Sequence, residues 1–264
     1  MGSDPRRISS RDNPLLAAVR KLAADPGGYR RAGRLWLEGE HLCEAFVARG
    51  GVPAQALVAE EAWERPALRA LAQRAAAVAL LPQALLAGLG TLESPAPIGF
   101  VVDWPGSPAI EPGAPSVVLD RLQDAGNVGA ILRSAAAFGV TQVLALKGTA
   151  ALWSPKVLRA GMGAHFGLRL VESLEPEALA ALQVPLLATS SHTGTAIDTA
   201  TLPWPCAWVF GHEGQGVAPA VAARCAARLG IPQPGGEESL NVAAAAAVCL
   251  YESSRQRREH PSGG

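Results

Sequence analysis

Cysteine is scarce in this 264-residue sequence, and its four copies form no pattern. Cys43, Cys206, Cys225 and Cys249 include no C-x-x-C and no zinc-like spacing with the five histidines. The expectation is free thiols in a reducing, cytosolic setting and no metal site. Net charge is also absent, with 23 basic residues against 23 acidic, which argues against a general polyanion binder. Apolar runs such as Val242–Leu250 are too short to span a bilayer, and the opening Met-Gly-Ser-Asp-Pro-Arg-Arg lacks the apolar core of a signal peptide. No membrane role is expected. Neither G-x-G-x-x-G nor Gly-x-x-x-x-Gly-Lys occurs, so dinucleotide and P-loop readings lack their signature. A hydrolase using Ser239 would lack the G-x-S-x-G elbow and would need His192 or His212 as its base.

Apolar residues are plentiful. At 49% hydrophobic and 17% charged, the chain reads as globular, with length for one large or two ordinary domains. The charge that exists is unevenly placed. Residues 1–34 carry Arg6, Arg7, Arg11, Arg20, Lys21, Arg30, Arg31 and Arg34 against Asp4, Asp12 and Asp25, and the tail adds Arg255, Arg257 and Arg258. Basic ends on a neutral body fit RNA contacts, although a solvated face explains any single run equally well.

Leu15, Leu16, Val19 and Leu22 have helical spacing. Strands are expected at 35–39, 56–59 and 78–81, with helices at 41–48 and 66–75, making a small α/β domain over residues 1–102. Residues 103–115 hold four prolines and two glycines and read as a stiff linker. From 116 to 264 the pattern restarts. Strands are expected at 116–120, 142–146, 168–171, 185–189, 207–211 and 228–231, and helices at 127–138, 156–159, 176–182 and 219–225. Such alternation predicts a mostly parallel sheet covered on both faces, with ligands beyond the carboxyl ends of its strands.

Three strand ends carry unusual loops. In the first, Asn127 and Gly129 open a helix as Asn127-x-Gly-x-x-x-Arg133; Asn127 is a natural N-cap, and Arg133 should project from the first or second turn. In the second, Phe210-Gly-His-Glu-Gly-Gln-Gly216 clusters three glycines around Glu213, which favours close backbone approach to a ligand. In the third, Ile231-Pro-Gln-Pro-Gly-Gly-Glu-Glu-Ser-Leu-Asn-Val242 passes from a strand end through a polar loop to an alanine-rich helix, with Ser239 and Asn241 as N-cap candidates.

Together, in this order, the three loops resemble motifs one, two and three of the SpoU (TrmH-type) RNA 2′-O-ribose methyltransferases of the SPOUT superfamily. Ile8-Ser-Ser-x-x-Asn13-Pro and Trp36-Leu-Glu-Gly39 resemble that family's small substrate-binding domain, so the resemblance covers nearly the whole chain. It implies a trefoil-knotted α/β fold with an L30e-like N-terminal RNA-binding domain, S-adenosylmethionine as cofactor, an RNA substrate and a homodimer without a metal. Carried over by position, the cofactor lies against the backbone at Gly211, Ile231 and Leu240, with Thr189 a further contact. Arg133 becomes the main catalytic residue, and Asn127, Glu213, Ser239 and Asn241 shape the site. The resemblance leaves open whether Arg133 also removes the 2′-hydroxyl proton, since a guanidinium ordinarily stays protonated in water. The N-terminal domain favours ribosomal RNA over tRNA; a tRNA enzyme and a noncatalytic ribosome-binding factor are the alternatives. Gln233 stands where the family often has Met, and His212 where Asn is frequent.

Overall fold

The computed structural model describes residues 4–90, 94–190, 194–235 and 239–259. By packing, the chain forms two compact units, Met1–Gly106 with Trp153–Phe166, and Ser107–Leu152 with Gly167–Gly264. The segment Trp153–Phe166 therefore packs with the first unit, although sequence order put it with the second.

The first unit holds strands β1 (Arg6–Arg7), β2 (Arg34–Glu38), β3 (Gln55–Ala59), β4 (Val78–Leu81) and β5 (Ile98–Asp103), in the order β1-β4-β3-β5-β2. Its helices are α1 (Pro14–Ala24), α2 (Gly28–Ala32), α3 (Glu40–Ala48), α4 (Pro66–Ala72) and α5 (Gln83–Ala87). Helix α1 starts where Asn13 caps it, accepting from Leu15 N–H at 2.9 Å, and it buries Leu16, Val19 and Leu22 on one face. Strand β5 is unassigned in the sequence reading. It runs antiparallel between β2 and β3 and mixes what otherwise reads as an alternating parallel unit.

The second unit is built on β6 (Ser116–Asp120), α6 (Ala125–Ala137), β7 (Gln142–Leu146), β8 (Arg169–Leu174), β9 (Leu186–Thr189), β10 (Thr195–Ala196), β11 (Ala207–Gly211), β12 (Ala227–Gly230) and α9 (Val242–Glu259). The short helices α7 (Pro155–Gly161) and α8 (Pro219–Ala222) complete the set; α7 belongs to the first unit. Residues 176–181 form a 3₁₀ helix in place of the α-helix expected there. Every strand pairing in this sheet is parallel, in the order β10-β12-β9-β11-β6-β7-β8. Each residue of β6, β7 and β11 is buried, as their continuous apolar runs require of strands covered on both faces. From β6 the chain steps outward through β7 and β8, then crosses to β9. It leaves one position that β11 later fills. That reversal of direction at β6 is a topological switch point, where the carboxyl ends of open parallel sheets hold ligands.

The proline-rich segment does not hang free. Glu111 N–H donates to Gln142 Oε1 at 2.7 Å, and Ser107 Oγ accepts from Glu172 N–H at 3.0 Å, which fastens it to the second unit.

Candidate active site

The carboxyl ends of β9, β11 and β12 frame an open cleft of about 820 Å³, within the roughly 300–1,000 Å³ usual for ligand sites. Its walls are the strand ends Thr189 and Gly211, the loop His212–Val217, and the segment Ile231–Val242, as far as the last is described.

Glycine at 211 is a steric requirement. A Cβ there would stand 2.1 Å from the carbonyl carbon of Gly216, because the loop folds back on itself. His212 N–H donates to Gly216 O at 3.0 Å, and Gly216 N–H donates to His212 O at 2.8 Å. His212 Nδ1 also accepts from Gly214 N–H at 3.0 Å, so the neutral imidazole carries its proton on Nε2.

Glu213 reaches from this loop to the start of α6. Its carboxylate accepts from the N–H groups of Gln123 (3.3 Å) and Asp124 (3.2 Å) and from Asn127 Nδ2 (3.3 Å). Burial raises the Glu213 pKa, but its own backbone N–H, Asp124, Asn127 and Gln123 together outweigh that, and the net shift is downward. A carboxylate so committed to donors orients the loop and is poorly placed to act as a base. Asn127 Oδ1 in turn accepts from Asn241 Nδ2 at 3.0 Å, and Asn241 Oδ1 caps α9 by accepting from Ala243 and Ala244 N–H. One hydrogen-bonded chain, Glu213–Asn127–Asn241, thus ties the three loops together.

Thr189, Gly211, Glu213, Ile231, Ser239, Leu240 and Asn241 all line the cleft, and Asn127 joins it through its two amide bonds. Arg133 does not. It is exposed in the third turn of α6, beyond the first or second turn expected, and its side chain makes no hydrogen bond or ion pair with a described residue. The N-cap expectation also moves. Asp124 caps α6 by accepting from Asn127 N–H at 2.7 Å, which frees the Asn127 side chain for the site. For α9 the cap is Asn241, and Ser239 stays exposed in the cleft wall. His192, the alternative base of a hydrolase, lies outside the described residues.

The sequence marks Gln233 only as a departure from the family's usual Met, not as a site residue; its buried Oε1 lies in a cleft-lining side chain and has no donor among the described residues. An unmet acceptor is what a ligand bearing amino and hydroxyl groups would satisfy. Together with the backbone of Gly211 and Ile231 lining the cleft, this acceptor fits an adenosyl amino acid. Nucleophilic thiols are lacking nearby, since burial pushes Cys206 and Cys249 up to about 12. No metal-holding cluster occurs among the described residues.

Residues 114–251 match the SpoU rRNA Methylase family. The chain belongs to that family. Among its relatives, an uncharacterized tRNA/rRNA methyltransferase of Synechocystis is 34% identical over 97% of this chain and 96% of its own length. The 23S rRNA (guanosine(2553)-2′-O)-methyltransferase RlmP of Bacillus subtilis is 30% identical over 81% of this chain and 86% of its own. The solved SpoU methyltransferase AviRb of Streptomyces viridochromogenes, in complex with AdoMet, superposes with a TM-score of 0.79 at 27% identity, covering 94% of this chain and 100% of that one. The mostly parallel α/β sheet is thus the one seen in SpoU methyltransferases, and the three loops of the cleft all fall inside the family match.

Proposed function

We propose that this SpoU-family protein transfers a methyl group from S-adenosylmethionine to a ribose 2′-hydroxyl of structured RNA, and that the RNA is ribosomal. The observation that carries the reading is the Glu213–Asn127–Asn241 chain, which fastens three strand-end loops around one cleft. The names of the relatives, an rRNA 2′-O-methyltransferase among them, support the same reaction and substrate.

When bound, S-adenosylmethionine supplies an electrophilic methyl on a sulfonium. The protein's part is to hold the 2′-oxygen in line with that methyl and the sulfur, from which much of the rate gain can come. Backbone at Gly211, Ile231 and Leu240 would bed the cofactor, with Thr189 at the strand end beside it. Asn127 and Asn241, fixed by their mutual hydrogen bond, and the hydroxyl of Ser239 offer the polar surface for the incoming ribose. Arg133 stands free to grip an RNA phosphate or the 2′-oxygen through its planar fork.

The N-terminal unit, L30e-like on this reading, would hold the RNA; the exposed side chains of Arg6 and Lys21 are uncommitted to described partners. In the second unit, we read the crossing that seats β11 between β6 and β9 as part of a trefoil knot closed by the segment before α9. The protein is further read as a cytoplasmic homodimer. Exposed Val248 and Tyr251, one turn apart on α9 where that helix packs on α6, form a face suited to a second copy.

Labelled methyl transfer to unmodified rRNA and, separately, to unmodified tRNA tests the reading. Alkali-resistant label on rRNA is the expected outcome. Label on tRNA alone would replace the substrate, and failure to bind S-adenosylmethionine would overturn the enzyme.

A further inference from the structure

Arg121 lies just beyond β6 and does not line the cleft, yet its side chain bonds to two residues that do. Nη1 donates to Gln215 Oε1 at 2.9 Å, and Nη2 reaches Gly216 O at 3.4 Å. Its backbone sits at φ 61°, a left-handed conformation that favours Gly or Asn and that an Arg adopts rarely. The conformation is held on several sides. Arg121 N–H donates to Thr149 Oγ1 at 3.1 Å, and the side-chain stem packs against Gly148. The buried carboxylate of Asp120 accepts from Arg121 Nε at 3.0 Å with one oxygen and from Ala218 N–H at 2.6 Å with the other. Asp120 and Arg121 together therefore grip the turn at Gln215, Gly216 and Ala218.

We propose that Arg121 is a positioning residue that sets the outer wall of the methyl-donor cleft by bracing the Gln215–Gly216 turn; the proposal rests on the cofactor reading above. The turn is glycine-rich and exposed: its hydrogen bonds between His212 and Gly216 fix its neck, and Glu213 and Gly214 are held by Gln123, Asp124, Asn127 and His212, which leaves the Gln215 side chain to the guanidinium. A planar fork suits the task because it serves Asp120, Gln215 and the Gly216 carbonyl at once. Lys, a point charge, cannot.

The test is S-adenosylmethionine affinity by titration calorimetry, with steady-state kinetics on RNA, for the full chain and for Arg121→Gly, Arg121→Lys, Gln215→Ala and the Arg121→Gly/Gln215→Ala pair. Glycine fits φ 61° without strain, so Arg121→Gly removes the brace while relieving the backbone. Arg121→Gly should bind the cofactor about tenfold more weakly, the scale of one charge-assisted hydrogen bond, and raise its KM with kcat little changed. Arg121→Lys should recover part of that affinity, and the double variant should be no weaker than Arg121→Gly alone. Wild-type affinity in Arg121→Gly overturns the proposal alone. So does a fall in kcat at constant KM, or losses that simply add. Failure of the wild-type protein to bind the cofactor overturns the cofactor reading and this proposal with it.

Discussion

Arg133, Glu213 and Gly211 each answer a different question about the site. Arg133 is exposed and uncommitted, so Arg133→Ala should leave folding and cofactor affinity nearly unchanged while methyl transfer is lost. Parallel calorimetry and transfer assays check this; loss of folding would instead make the residue structural. Glu213→Gln swaps a carboxylate for a group with one acceptor oxygen and an extra donor facing three N–H donors. The site is largely exposed, so the expected loss at neutral pH is roughly 0.5–1 kcal/mol, the range of screened surface interactions. Because the folded-state pKa of Glu213 is lowered, its contribution is present above the ordinary value of 4.5 and fades as pH falls through the folded value. Urea denaturation of wild type and Glu213→Gln should therefore differ at pH 7 and converge in acid. Gly211→Ala places a methyl into the Gly216–Val217 backbone, and the cleft should lose its cofactor by calorimetry even where circular dichroism shows a folded sheet.

At the scale of elements, α9 both closes the cleft and anchors the sheet. Its N-terminus is capped by Asn241, and farther along the buried Ser253 Oγ accepts from Trp208 Nε1 of β11 at 2.8 Å. Ser253→Ala leaves a buried indole N–H without a partner, and thermal denaturation should report a loss of about 1–3 kcal/mol. These elements were differently legible in the sequence. Strands β6 and β11 stand out because buried parallel strands are continuous apolar runs, and α1 because its apolar residues recur at helical spacing. Strand β5 hides beside the proline-rich segment, and its place between β2 and β3 is a matter of pairing that no local pattern encodes. Asp124 and Asn127 are both good N-cap residues three apart. Local chemistry cannot choose between them; the choice falls to Glu213, some 90 residues on, whose carboxylate claims the Asn127 amide. The left-handed backbone of Arg121 is unreadable for the same reason, since its supports come from Thr149 and from the far side of the cleft.

Over the whole molecule, the exposed apolar side chains of α9 set the prediction for assembly. Val248 and Tyr251 are 40% and 49% exposed, and Tyr251 meets Phe138 edge-on at 5.9 Å between centroids, so the patch continues onto the end of α6. Charging it with Val248→Asp and Tyr251→Asp should convert the proposed dimer to a monomer in sedimentation velocity. An unchanged mass for the double variant, with the wild type dimeric, would place the interface elsewhere.

The bonds that define the cleft join residues 86 to 114 positions apart, and its last wall includes Ile231, Gln233 and Ser239 to Val242. During synthesis from the N-terminus, every strand of both sheets emerges before Asn241 does. A nascent chain can therefore bury most of its core while still lacking the Asn241 clasp and one side of the cleft. A polypeptide that has folded its sheets but lacks Ser239 to Val242 has an open side to this cleft, so methyl-donor binding there should wait until Asn241 is in place.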